Sequence, residues 1–419
     1  MIQKIKGTMD LFPSDTALFL HMEQTMREEA RRYGYGEIRT PMFENTDLFV
    51  RGVGEGTDVV QKEMYTFADR DENRSVSLRP EGTASVVRAL IEHGKFSQPL
   101  PQKYYYIGSF FRHEAPQAGR SREFFQFGTE LFGSAAPSAD ATAIALASSV
   151  LRRLGLKGVA LHLNSIGCSC CRPAYREALV GYYSAHEAEL CDTCRTRLAK
   201  NPLRLLDCKS PICSALAKDA PKTVDYLCEE CSDHFETLKA LLTDMGVSFR
   251  VDSGIVRGLD YYSRTVFEFI AEGIGAQSTV CGGGRYDRLV SSLGGPETPA
   301  VGFGMGLTRV ILAMKQEEVP SPQLPAPVLY IASLGKAAAA RALAIVERLR
   351  QEGLYAECDI MGRSLKAQMK YADKLGARYV LMLGDSELEQ GRAQLRDMTA
   401  SDQREVALDA IAEALALAQ

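Results

Sequence analysis

The residues in this chain that could do chemistry on a phosphate ester are arginines. The sequence has no GxxxxGKS/T phosphate loop and no GxGxxG run opening a helix after a strand. If a nucleotide binds, planar guanidinium groups must hold its phosphate oxygens, which they grip bidentately. Three arginines are placed for this. Arg112 lies in Phe111-Arg112-His113-Glu114, Arg120 in the polar loop that follows, and Arg309 ends Gly302-Phe303-Gly304-Met305-Gly306-Leu307-Thr308-Arg309. Taken singly, each reads as a solvated surface arginine. The glycine run could equally be a packing site where only glycine lets two backbones approach.

The second chemical feature is cysteine. Nine of the 11 cysteines lie between Cys168 and Cys231, and only Cys281 and Cys358 fall outside. In a reducing compartment such a cluster reads as a metal site before it reads as disulfides. Cys168 with Cys171, and Cys191 with Cys194, have the spacing of thiolate pairs that ligate tetrahedral Zn2+. These four are the candidate structural zinc site. Cys208 with Cys213 and Cys228 with Cys231 could supply a second set, leaving Cys170 over. The plainer alternative is reduced, metal-free cysteines in a helical insertion. A thioredoxin-like role is weaker, since no βαβ pattern surrounds the pairs.

These residues need a scaffold, and the chain is long enough to build one. Its 419 residues, 46% hydrophobic and 24% charged, can fold into two or three domains with cores of their own. The N-terminus lacks an apolar segment with a cleavage site, and no window approaches the ~18 apolar residues of a membrane span. The expectation is a soluble, cytoplasmic protein without a membrane partner. A net charge of -4 argues against a generic nucleic-acid coat but leaves room for a local basic track.

Pro13-Ser14-Asp15 starts a helix whose Leu18, Met22, Met26 and Ala30 recur at four-residue steps up to Gly34. Glu37 to Pro41 reads as a short extended piece. Residues 60–132 read as strands and turns, carried by Met64-Tyr65-Thr66-Phe67, Tyr104-Tyr105-Tyr106-Ile107 and Phe124 to Phe132. Asp140 to Leu154 is an alanine-rich helix, and residues 168–235 form a helical insertion. Strand signals return at Thr265 to Phe269 and Ser278 to Val280. A proline-rich linker spans 320–327, between a catalytic domain at 1–319 and an α/β domain at 328–419. In the last domain the sheet is expected to be largely parallel and Val406 to Ala418 to be helical. Lys366, Lys370 and Lys374 would line one helix face, which by itself reads as a solvated stripe.

In this order, FRxE after a strand, a polar loop, a second strand and a distant GxGxGxxR resemble motifs 2 and 3 of class II aminoacyl-tRNA synthetases. The helix and extended piece ending at Pro41 resemble motif 1, which builds the dimer interface in that class. Val256-Arg257-Gly258-Leu259-Asp260-Tyr261-Tyr262, Gly282-Gly283-Gly284-Arg285-Tyr286-Asp287, Leu78-Arg79-Pro80-Glu81-Gly82-Thr83-Ala84 and Lys6-Gly7-Thr8-Met9-Asp10 are similar to signatures of the histidyl-tRNA synthetase family, bacterial type. The resemblance covers essentially the whole chain.

The resemblance implies an α+β fold: an antiparallel class II catalytic sheet flanked by helices, the cysteine-rich helical insertion, and a C-terminal α/β anticodon-binding domain. It implies a homodimer that activates L-histidine with ATP and Mg2+ and transfers it to the 3′ end of tRNA(His). Arg112 would hold the α-phosphate, Glu114 the adenine amine, and Arg120 and Arg309 the outer phosphates. Glu81 and Thr83 would receive the histidine ammonium group, and Gly82 between them would also belong to the histidine-binding site. Gln126, Glu130, Tyr261 and Tyr262 would line the side-chain pocket, with Arg112 and Arg257 also beside the amino acid. Arg257 would act catalytically, as a fixed cation at the α-phosphate. The neutral imidazole donates at one nitrogen and accepts at the other, and the Glu130 carboxylate and Tyr262 phenol would satisfy both.

Thr308 stands where many relatives have glutamate, and Phe125 where histidine is frequent. Ala115 replaces a common basic residue, while Gln117 in that loop is kept. This bears on contacts with the tRNA acceptor end, not on adenylation. Two other classes compete: a histidine-sensing regulatory subunit of ATP phosphoribosyltransferase, and a zinc-organised RNA-binding module without activity. The first typically lacks the C-terminal domain and catalytic arginines; the second leaves the arginine set unexplained.

Overall fold

Aromatic and β-branched residues concentrate in the runs that build the central sheet. Its eight strands follow the order Gly36–Glu37, Gln102–Phe111, Glu123–Phe132, Ala300–Gly306, Thr279–Arg285, Ser263–Ala271, Val159–Ser165 and Arg250–Val251. The six central strands pair antiparallel. The two short edge strands pair parallel, which makes the sheet mixed. In this computed structural model every residue is described except 71–73, 207, 209, 256–258, 275–277, 401 and 417–419. The chain divides into two compact units, Met1–Pro322 and Gln323–Gln419.

One face of the sheet is covered by the helices Pro13–Arg32, Pro137–Arg153 and Glu229–Asp244. The four-residue steps of the first helix place Met22, Met26 and Ala30 in the core with no exposure. The helix Glu229–Asp244 runs through residue 235, and its Phe235, Leu238 and Leu242 join the same core. The insertion before it is helical, with Arg172–Ala185, Asp192–Lys200 and Pro211–Asp219 around a core of Tyr175, Leu179, Tyr183 and Leu205.

The other face carries the site, and here the expectation of strands and turns over 60–132 needs correcting. Thr83–Glu92 is a helix, as is Thr46–Val53 upstream of that window. Thr83, Val86 and Val87 are β-branched and read as strand, but the start of the helix is fixed by tertiary chemistry. The Glu81 carboxylate accepts the Thr83 N–H at 2.7 Å and the Ala84 N–H at 2.8 Å, satisfying donors that a helix start leaves open.

In the second unit the sheet order is Ala356–Cys358, Leu329–Ser333, Tyr379–Leu383, Arg392–Asp397 and Gln403–Ala407. Only the first three strands are mutually parallel; the last two add antiparallel. The expected helix over 406–418 is a strand to Ala407 followed by a short helix, Ile411–Ala416. Polar residues disguise the hairpin, whose buried positions are Ala393, Leu395 and Val406. Lys366, Lys370 and Lys374 are exposed in and around the helix Leu365–Lys374.

Candidate active site

A cleft with a cavity volume of about 380 Å³ opens beside the central strands, and Arg112, Glu114, Arg120, Gln126, Thr308 and Arg309 all line it. Arg112 follows the strand Gln102–Phe111. Its Nε donates to the Pro80 carbonyl at 3.0 Å, and its guanidinium lies 5.4 Å from the Phe124 ring centre. Arg309 sits in the first turn of the helix Leu307–Gln316 and donates to the Gly119 and Thr279 carbonyls, each at 2.9 Å. Glu114 lies between two cations: Arg120 Nε at 2.7 Å, close but off the hydrogen-bond line, and Arg112 Nη1 at 3.8 Å.

Burial, and then the positive charge of Arg120, push the Arg309 guanidinium below its ordinary pKa. Crowding cations in a partly desolvated cleft favours an anion there. Glu63 also lines the cleft and was not foreseen. Burial, then the charge of Glu114, push its carboxyl up.

Next to the cleft lies a cage of side chains around the buried Glu130, on the same strand as Gln126. Residues 126, 128 and 130 share one face of the strand Glu123–Phe132. The facing strand supplies glycines because side chains would not fit. A Cβ on Gly302, the register partner of Glu130, would come within 2.1 Å of Glu130 Oε2, and one on Gly304 within 2.2 Å of Gln126 Nε2.

Glu130 is buried, and its Oε1 accepts from the Thr83 hydroxyl at 2.8 Å and the Tyr106 phenol at 3.1 Å. Its Oε2 accepts a short hydrogen bond from the Tyr286 phenol. Burial pushes the carboxyl up to about 8; the bonds from Tyr286 and Thr83 act against this, and the charge of Glu81 adds to it. Burial likewise pushes up the carboxyl of Glu81. Tyr261 is half-buried and lies near both carboxylates. Its ring centre lies 4.7 Å from that of Tyr262 and 5.5 Å from that of Tyr286.

The structure thus brings Glu81, Gly82, Thr83, Glu130, Tyr261 and Tyr262 to one cage, and Arg112, Glu114, Arg120, Gln126 and Arg309 to the cleft beside it. Arg257 and Gly258 lie outside the described residues; Leu259, just after them, lines the cleft. Tyr106 and Tyr286, which bond Glu130 directly, were not expected there. Tyr286 sits in a run singled out in the sequence, but its role becomes visible only when sheet register aims it at Glu130.

The cysteines group differently from their sequence pairs. Cys168, Cys171, Cys228 and Cys231 form one set of four, and Cys191, Cys194, Cys208 and Cys213 the other. The expected quartet of Cys168, Cys171, Cys191 and Cys194 is therefore wrong. The chain leaves the sheet after the strand Val159–Ser165 and returns at the helix Glu229–Asp244, so the first and last pairs meet at the neck of the insertion. Cys170 belongs to neither set.

Comparison with known proteins gives the chain's family. Residues 7–310 match the family model described as histidyl-tRNA synthetase, and residues 329–416 match an anticodon binding domain. The chain is 50% identical to the histidine--tRNA ligase of Desulforamulus reducens, with 96% of each chain covered. It is 51% identical to that of Desulforudis audaxviator, covering 99% of this chain and 98% of the relative. Among solved structures it is similar to apo histidyl-tRNA synthetase of S. aureus, with a TM-score of 0.84 and 37% identity over 99% of this chain and 100% of the other. The chain belongs to the histidyl-tRNA synthetase family.

Proposed function

We propose that this chain is a histidine--tRNA ligase, and that its cage and cleft form a single adenylation site. The observation that carries this reading is the buried Glu130 carboxylate beside an arginine-lined cleft. As a carboxylate, Glu130 can accept about four hydrogen bonds. It receives three, from Thr83, Tyr106 and Tyr286, which leaves room for an imidazole N–H. Apolar analogues would leave that buried acceptor unpaired, which is how a polar pocket rejects them.

The histidine ammonium group meets Glu81 and Thr83, and Tyr262 serves the second ring nitrogen. Arg112 holds the α-phosphate, Glu114 the adenine amine, and Arg120 and Arg309 the outer phosphates. ATP enters as its magnesium complex; Glu268, a hard oxygen donor, lines the same cleft. A histidine carboxylate oxygen attacks the α-phosphorus, and pyrophosphate departs. The 3′-terminal ribose hydroxyl of tRNA(His) then attacks the adenylate carbonyl, and AMP departs. Arg257 supplies a fixed cation at the α-phosphate, where such a charge stabilises the transition state more than the ground state. The insertion carries structural zinc, with no part in the chemistry.

Among the described residues no helix is long and apolar enough to cross a membrane. The proposed location is the cytoplasm, and the working form a homodimer. Supporting the dimer, Met42, Phe43 and Phe67 are exposed, and strand register puts Phe43 and Phe67 on one face of the small sheet Phe43–Asn45, Ser75–Leu78 and Thr66–Ala68. The test is aminoacylation: with ATP, magnesium and tRNA(His), the purified chain should form histidyl-tRNA. Tight histidine binding without charging or adenylate formation would overturn the enzyme reading in favour of a histidine sensor.

A further inference from the structure

Four thiolates around a zinc ion, with Zn–S bonds of about 2.3 Å, stand about 3.8 Å apart. Cys168 Sγ lies 3.7 Å from Cys171 Sγ and 3.9 Å from Cys228 Sγ, and Cys191 Sγ lies 3.9 Å from Cys208 Sγ. In each set all four sulfurs lie within 4.8 Å of one another. None of the eight cysteines in the two sets is joined in a disulfide.

The backbone is also arranged for thiolates. The N–H groups of Cys170, Cys228 and Cys191 donate to the sulfurs of Cys168, Cys171 and Cys213 at 3.3, 3.1 and 3.4 Å. Such donors stabilise a charged sulfur. Gly167 takes a φ of +65°, and a Cβ there would lie 2.7 Å from that of Cys171, so the turn into the first pair needs glycine.

The neck set is tied to the amino-acid side of the active site. Arg172, directly after Cys171, makes a short hydrogen bond from Nη2 to the Tyr262 carbonyl. Glu230, between Cys228 and Cys231, pairs closely with Arg264. The Arg264 N–H donates to the Gly167 carbonyl at 2.9 Å, and Ile166 donates back to Arg264 at 2.8 Å. Arg288 Nη2 donates to Ser169 at 2.7 Å. Arg264 itself is held at a φ of 52°, a left-handed conformation that a side-chain-bearing residue keeps only when its surroundings impose it. Residues 262–264 are thus clamped to a loop whose shape depends on the four neck sulfurs. The inner set sits instead in the insertion's own core, beside Leu190, Leu198 and Leu205.

We propose that the chain binds two zinc ions, one in each set of four cysteines, and that the neck ion positions Tyr261 and Tyr262 for histidine through Arg172 and Arg264. The positioning half rests on the histidine-ligase reading; the metal half does not. The sites are structural, since four thiolates close the coordination shell. Loss of the neck ion weakens histidine binding and leaves ATP binding unchanged, because Arg112, Glu114 and Arg309 are held by bonds of their own.

The test combines elemental analysis with histidine-dependent pyrophosphate exchange. Protein purified without added metal or chelator should contain two zinc ions per chain, and Cys228→Ser and Cys208→Ser should each retain one. Cys228→Ser should raise the KM for histidine roughly tenfold, a common cost of disturbing what supports a metal ligand, with the KM for ATP unchanged. Cys208→Ser should leave the histidine KM unchanged. Arg172→Ala touches no ligand; it should keep both ions and reproduce the rise in histidine KM. It decides the matter if Cys228→Ser does not fold.

Fewer than two ions, with the cluster cysteines free to thiol reagents, would overturn the metal sites. Two ions with an unchanged histidine KM in Arg172→Ala would overturn the positioning role. Two ions in a chain that never activates histidine would sink the ligase reading and leave the metal sites standing.

Discussion

Glu130 carries an unusual burden for one side chain. It is a buried acid held by phenols and a hydroxyl, with its ordinary ionisation opposed first by burial. To accept an imidazole N–H in addition to the bonds from Thr83, Tyr106 and Tyr286 it must be ionised, because only the carboxylate offers about four acceptor sites. Its pKa in the free chain is raised to about 8, so histidine binding must lower it and expel a proton. Affinity should therefore rise with pH up to about 8 and then level off, with close to one proton released per histidine near pH 7. Calorimetry in two buffers of different ionisation enthalpy measures that release. Glu130→Gln should bind histidine weakly and abolish the release; an unchanged release would take Glu130 out of the ring contact. Arg257 is the other residue on which the proposed mechanism rests. Arg257→Ala should lower kcat for exchange by roughly 10²–10³-fold, as loss of one preorganised donor does, and move the histidine KM less. Arg257→Lys should recover only part, because a point charge cannot reproduce the guanidinium fork. A near-normal kcat in Arg257→Ala would remove it from the mechanism.

At the scale of elements, the site depends on strands that carry no side chain where a neighbour needs room. Gly302 pairs with Glu130 in register, and Gly302→Ala would drive a methyl group into the carboxylate and the Thr129 carbonyl. Overpacking of this kind costs about 1–3 kcal/mol. Gly302→Ala should lower the melting temperature and the affinity for histidine while ATP binding survives; normal histidine affinity would mean that the cage tolerates the shift. What could be read from the sequence follows the same division. The aromatic runs at Tyr104 to Ile107 and Phe124 to Phe132, and the four-residue steps of the first helix, are local signals, and they match the elements seen. The helix Thr83–Glu92 was hidden because its start is capped by Glu81 rather than by propensity. The cysteine sets were hidden because Cys228 returns to Cys168 across 60 residues, a distance no spacing rule sees. Tyr106 and Tyr286 gained their roles only from register.

For the whole molecule, a net charge of -4 leaves tRNA binding to local features, among which the exposed lysines of the helix Leu365–Lys374 are candidates for phosphate contacts. Replacing Lys366, Lys370 and Lys374 together by alanine should raise the KM for tRNA and flatten its salt dependence, with exchange untouched. An unchanged salt slope would return these lysines to a solvated stripe. The proposed dimer is testable by light scattering. Phe43→Asp, on the exposed sheet face, should shift the protein toward monomer, and a persistent dimer would place the interface elsewhere. The most direct measurement for the whole site is pyrophosphate exchange with each common amino acid in turn, on the intact chain with ATP and magnesium. Exchange with histidine alone, lost in Glu130→Gln, is the expected result. Exchange driven equally well by another amino acid, or none with folded protein, would contradict a histidine-activating site built on Glu130.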